Sequence, residues 1–95
     1  MIRIELTSRL LRTVRKLGPQ ITSQVEERLA LVSDRFGDPH HHSGLGIRKI
    51  GRRSYEARVD KQLRIVFIKE ADSLTAYDLM NHDQVELWLR SRKGD

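Results

Sequence analysis

Arg58, Arg64 and His82 are the side chains of this chain best suited by type to chemistry on a phosphate. A guanidinium presents a planar fork of donors that matches two phosphate oxygens. An imidazole, with an ordinary pKa of about 6.5, can take up and return a proton near neutrality. Arg64 interrupts the run Leu63-Arg64-Ile65-Val66-Phe67-Ile68, which otherwise reads as a buried strand. A charge inside such a run is costly unless it is paired or reaches solvent at a site. Upstream, Tyr55-Glu56-Ala57-Arg58-Val59 alternates strictly and turns one face of a neighbouring strand outward. Downstream, Asn81-His82-Asp83 closes a third strand just before a helix. Two arginines and a histidine are thereby delivered to one end of a small sheet.

The elements that must carry them follow from periodicity. Ile2, Ile4 and Leu6 alternate with Arg3 and Glu5, as in a strand with one buried face. Thr7 or Ser8 can cap a helix with the apolar stripe Leu10, Leu11, Val14 and Leu17. Gly18-Pro19 ends that helix. A second helix carries Ile21, Val25, Leu29, Val32 and Phe36 and stops at Gly37-Asp38-Pro39. The tight junction makes the two an antiparallel hairpin.

Beyond it the period changes from helical to two. Ile47 and Ile50 mark a short strand, Gly51–Arg53 a turn, and Tyr55, Ala57 and Val59 a second strand. Lys61-Gln62 is a hairpin tip before Leu63–Ile68, and Ala71-Asp72-Ser73 turns the chain into Leu74–Met80. Asp83 is placed to cap a last helix carrying Val85, Trp88 and Leu89. The order β-α-α-β-β-β-β-α, rich in consecutive hairpins with helices packed on one face, defines one α+β domain over residues 1–95.

Composition agrees with a single small domain. Of 95 residues, 38% are hydrophobic, with one Trp, two Tyr and two Phe, so the core rests on Leu, Ile and Val. Eighteen Lys and Arg against thirteen Asp and Glu give a net charge of +5. Between Arg48 and Lys69 eight residues are basic and only Glu56 and Asp60 are acidic, a local patch that attracts polyanions. The absence of cysteine excludes disulfides, cysteine-based zinc sites and thiol catalysis. The N-terminus is unlike a signal peptide and no stretch is long enough to span a bilayer, so a cytoplasmic protein without membrane contact is expected. Three consecutive histidines, His40 to His42, do not project to one side of a helix or strand; they read as a loop rather than a metal site.

The order of elements, the tyrosine-and-basic strand Tyr55–Val59, the Arg64 strand and the His82-Asp83 pair before a short helix resemble the RelE/ParE toxin superfamily over essentially the whole chain. That resemblance implies a RelE/ParE-like fold and a toxin encoded beside a cognate antitoxin. RelE-like members cleave mRNA on the ribosome, and ParE-like members inhibit DNA gyrase without cleavage. By resemblance, Arg58 contacts the scissile phosphate, Arg64 stabilises the transition state and His82 transfers a proton. The reaction is then attack of a 2′-hydroxyl on the adjacent phosphorus, without a metal or other cofactor. In the run His82-Asp83-Gln84-Val85-Glu86-Leu87-Trp88, Glu86 stands where many relatives carry a Tyr that helps orient the nucleotide. This departure keeps open the gyrase-binding alternative and that of a degenerate member that only binds RNA or its antitoxin.

Each residue also has a plain structural reading. Arg64 can form an ion pair with Asp78 or Glu56, Arg58 can lie on a solvated strand face, and His82 can be a turn residue beside Asp83. Arg48, Lys49, Arg52 and Arg53 flank a hairpin, where long cationic side chains can follow an RNA backbone. Tyr55 can stack on a base, although its alternation with Ala57 and Val59 suits the core. Trp88, at helical spacing from Val85, also suits the core.

Overall fold

The computed structural model describes residues 1–38, 42, 44 and 46–92. The elements are β1 (Arg3–Leu6), α1 (Ser8–Leu17), α2 (Pro19–Arg35), β2 (Ile47–Lys49), β3 (Ser54–Arg58), β4 (Leu63–Lys69), β5 (Ser73–Asn81) and a C-terminal helix, here α3 (His82–Arg90). Their order matches the sequence reading.

Local chemistry explains the boundaries. Thr7 caps α1 by accepting the Leu10 N–H at 3.0 Å. Gly18, at φ +95°, closes α1, and Pro19 opens α2 at the first helical position. At the β3–β4 hairpin, Asp60 Oδ1 accepts from the Gln62 and Leu63 amides and holds the tip.

The five strands lie in the order β1-β5-β4-β3-β2. The pairs β2–β3, β3–β4 and β4–β5 are antiparallel. β1 is added parallel to β5, with Ile4 opposite Leu74, so the sheet is mixed.

The expectation that all helices share one face of the sheet is corrected. Leu10 and Val14 of α1 and Val25 and Val32 of α2 pack with Ile47, Ala57, Ile65, Phe67, Leu74, Ala76 and Leu79 on one face. α3 covers the other face, where Val85, Trp88 and Leu89 meet Val66, Met80, Ile50 and Tyr77. Two apolar faces explain why β4 reads as an almost unbroken hydrophobic run: Ile65, Val66 and Phe67 are all buried, but to opposite sides. The register slips by one residue between Val66 and Phe67, leaving Tyr77 unopposed. This irregularity lets Ala76 and Leu79, three residues apart, enter the same core while Tyr77 and Met80 join the other.

The α1 stripe is narrower than its spacing suggests. Leu10 and Val14 are buried, but Leu11 and Leu17 remain about half exposed. Arg9, Arg12, Arg15 and Lys16 form a basic stripe on the solvent side of this helix, which carries no acidic residue. Among the described residues no helix is long and apolar enough to cross a membrane.

Candidate functional site

α3 is short and covers only part of its face of the sheet, leaving a concave surface between α3 and strands β2 and β3. The alternation of β3 places Ser54, Glu56 and Arg58 on this side, away from Ala57 in the larger core. Arg48 of β2 stands opposite Glu56, and Arg64 of β4 stands directly opposite Arg58. Like charges on directly opposed cross-strand residues repel one another, so this pair of guanidiniums favours an anion nearby.

The protein supplies one such anion itself. Glu56 Oε2 lies 3.1 Å from Arg64 Nε and 3.9 Å from Arg48 Nε. The Glu56 and Arg64 side chains are only 9% and 13% exposed, whereas Arg48 is 71% exposed. Of the two partners considered for Arg64 from sequence, Glu56 is the one it meets. Asp78 instead accepts from the Thr13 hydroxyl at 2.7 Å.

His82 enters from the opposite wall. It is the first residue of α3, 61% exposed, with Nε2 3.8 Å from Glu86 Oε1 one turn on. Its position is set by Asn81, not by Asp83 as the sequence reading had it. The Asn81 side chain accepts from the Gln84 amide, and the Gln84 side chain accepts from the Asn81 amide, each at 2.8 Å. This reciprocal box satisfies two free helix-end donors, and Asp83 sits in the first turn. The spacing Asn-x-x-Gln was a signal for it in the sequence. Replacing Asn81 with alanine is expected to lower stability by about 1 kcal/mol. Thermal unfolding should then shift by about 4–8 °C, and any activity needing His82 should fall with the loosened helix start.

Three shallow hollows share these walls. One of about 340 Å³ is lined by Lys61, Arg64, Asn81, His82 and Asp83 among others. A second, about 280 Å³, lies between Arg48, Glu56, Arg58 and Arg64. The third, also about 280 Å³, joins Arg48, Lys49 and Glu56 to His82 and Glu86. Arg64 therefore belongs to two hollows, one shared with Arg58 and the other with His82. Gly46 sets the approach of β2: at φ +69° its missing Cβ would lie 3.1 Å from the Arg58 Cβ.

The remaining sequence candidates divide. Arg48 and Lys49 line the groove. Arg53 is turned to the β4–β5 turn, with Nη2 2.9 Å from Glu70 Oε2 and Nε donating to the Lys69 carbonyl. Arg52 is exposed in the β2–β3 turn. Tyr55 is not brought to the groove; it packs with the larger core, edge-on to Phe36 at 5.0 Å between ring centroids. Trp88 joins the smaller core, its ring tilted by 32° against Tyr77 at 5.4 Å between centroids and covered by the Arg92 guanidinium. His40 and His41 fall outside the described residues, while His42 accepts the Gly37 N–H at 3.0 Å and packs on Phe36. Among the described residues no group of three or more His, Asp or Glu is arranged to hold a metal ion.

A mixed five-stranded sheet with a helical hairpin on one face and a short helix beside a basic groove on the other defines the structural class. No protein-family model matches the sequence, and no curated protein matches it. Solved structures do. The archaeal RelE–RelB complex from Pyrococcus horikoshii aligns with a TM-score of 0.67 at 12% identity, over 84% of this chain and 93% of that one. YafQ from E. coli aligns at 0.66 and 9% identity, over 90% and 98%. The YoeB–YefM complex from Staphylococcus aureus aligns at 0.62 and 16%, over 86% and 98%. The chain has the RelE/ParE/YoeB toxin fold, as the sequence resemblance implied.

Proposed function

We propose that this protein is the toxin of a toxin–antitoxin module and acts as a ribosome-dependent endoribonuclease on mRNA. The observation that carries this reading is the placement of Arg64, directly opposite Arg58 on one face and sharing a hollow with His82. A phosphodiester seated there would relieve the repulsion between the two guanidiniums. Its 2′-hydroxyl would attack phosphorus, Arg58 and Arg64 would stabilise the charge that gathers on the phosphoryl oxygens, and His82 would take part in proton transfer. Arg48, Lys49 and the exposed Arg52 would add affinity through the RNA backbone rather than chemistry.

The similar structures include RelE with RelB, and YoeB with YefM. By extension, the partner here is a cognate antitoxin with a segment that folds over the basic groove as it binds. A second reading is supported by Glu86, whose carboxylate sits beside His82 where the family resemblance places a tyrosine. In that reading the same fold captures gyrase and breaks no bond.

Primer extension on a defined mRNA, in a purified translation reaction with ribosomes present or omitted, separates the two. Breaks confined to ribosome-bound message are the expected result. An intact message in the presence of folded protein would sink the nuclease reading and turn attention to gyrase supercoiling. Toxicity that survives Arg64→Ala and His82→Ala together would show that cleavage at this groove is not its cause.

A further inference from the structure

Glu86 has no task in the reaction above, yet it lines the groove. It lies on α3 with Oε1 3.8 Å from His82 Nε2, beyond hydrogen-bonding reach, and both side chains are more than half exposed. An exposed pair of this kind adds little to the fold. A carboxylate also repels an RNA backbone, so its place beside a groove for phosphate calls for a different part of the ligand.

The hollow it lines is suited to one. Val85, Leu89 and Ile50 of the smaller core give it an apolar floor. Glu86 stands on the α3 side and Arg48 on the β2 side. An apolar floor with an acceptor on one wall and a donor on the other suits a planar heterocycle whose two edges differ in hydrogen-bonding character.

Among the RNA bases guanine has this polarity. Its Watson–Crick edge carries two adjacent donors, N1–H and the N2 amino group, which a carboxylate accepts together. Its other edge carries O6 and N7, acceptors that an arginine fork matches. Adenine and cytosine set a ring-nitrogen lone pair beside the amino donor, and uracil flanks its N–H with carbonyls. Each of these turns an acceptor toward a carboxylate, which repels it.

We propose that Glu86 is a specificity-determining residue that holds a guanine of the message beside the scissile phosphate. The assignment rests on the nuclease reading and deepens it by naming the base. Glu86 accepts from N1 and N2, Arg48 donates to O6 and N7, and Val85, Leu89 and Ile50 support the ring. Glu86 moves no proton in the reaction; it selects which linkage reaches Arg58, Arg64 and His82.

Base analogues test this. Mapping wild-type cuts along a message of mixed sequence fixes which nucleotide flanking the broken bond is guanine. Single-turnover cleavage is then measured on ribosome-bound messages carrying guanine, inosine or adenine there. Inosine lacks only the N2 amino group, so it removes one of the two bonds to Glu86. The wild-type protein is expected to cleave at guanine about 10–100-fold faster than at adenine, with inosine between. In Glu86→Ala the guanine-to-inosine ratio is expected to fall to about one, since the acceptor for the N2 group is gone. A ratio taken on one protein cancels any change in His82 or in folding that slows both substrates equally. Glu86→Gln is expected to turn the preference to adenine, because an amide accepts from the N6 amino group and donates to N1. It also covers the case in which the alanine variant folds poorly.

Cuts without a flanking guanine, or equal wild-type rates on the three messages, would overturn the assignment. A guanine-to-inosine ratio unchanged by Glu86→Ala would overturn it by placing base recognition elsewhere. No cleavage of any message by the wild-type protein would remove the nuclease reading, and this assignment with it. That failure is distinguishable because it appears before any base preference is scored.

Discussion

Arg64→Ala is expected to slow cleavage of ribosome-bound message by about 10²–10³-fold, the scale on which a single preorganised donor to a developing oxyanion acts. The same change should lower folding stability by about 3 kcal/mol, because it leaves Glu56 buried without its 3.1 Å partner. The two losses have different causes and can be separated. Arg64→Lys retains the charge but not the planar fork, so it should recover most of the stability and little of the rate. Arg64→Met combined with Glu56→Leu removes both charges, and should unfold near the wild-type temperature while remaining as inactive as Arg64→Ala. Stopped-flow or quenched cleavage together with thermal unfolding measures both quantities. Activity in the double variant would show that Arg64 serves only the fold.

Phe67→Ala should have the largest effect on stability. Phe67 is 1% exposed and lies on β4 next to the register slip, packed with the helical-hairpin core on the face away from the groove. Removing a buried aromatic side chain costs about 3–5 kcal/mol, a large share of the roughly 5–15 kcal/mol that holds a domain of this size together. A fall in melting temperature of about 20 °C is the expected outcome, read by circular dichroism or calorimetry. A change of only a few degrees would mean that this core collapses around the gap. Because Phe67 and Arg64 point to opposite faces of one strand, activity lost in Phe67→Ala should return on cooling. That lost in Arg64→Ala should not.

Much of the candidate site was legible in the sequence because strand alternation is a local property. The period-two pattern Tyr55-Glu56-Ala57-Arg58-Val59 separated the core side of β3 from its polar side. Arg64 announced itself as a charge inside an apolar run. Its partner was less legible: Asp78 and Glu56 were equally plausible, and the choice depends on which side of Arg64 the neighbouring strand brings a carboxylate. Tyr55 shows the same limit. Its ring had two readings, and the packing of Phe36 from the end of α2 placed it in the core.

The sequence by itself determined the element order, a helix cap at Thr7 or Ser8, the break at Gly18-Pro19, the hairpin tip at Lys61-Gln62, and the concentration of positive charge between Arg48 and Lys69. These depend on residues a few positions apart, so local backbone chemistry and side-chain periodicity suffice. Only the tertiary structure decided that β1 pairs parallel with β5, that α3 lies on the face opposite the helical hairpin, and that Glu56 lies among Arg48, Arg58 and Arg64. Those outcomes come from burying two apolar faces of one sheet at once. They depend on contacts between residues far apart in the chain, which no local pattern encodes.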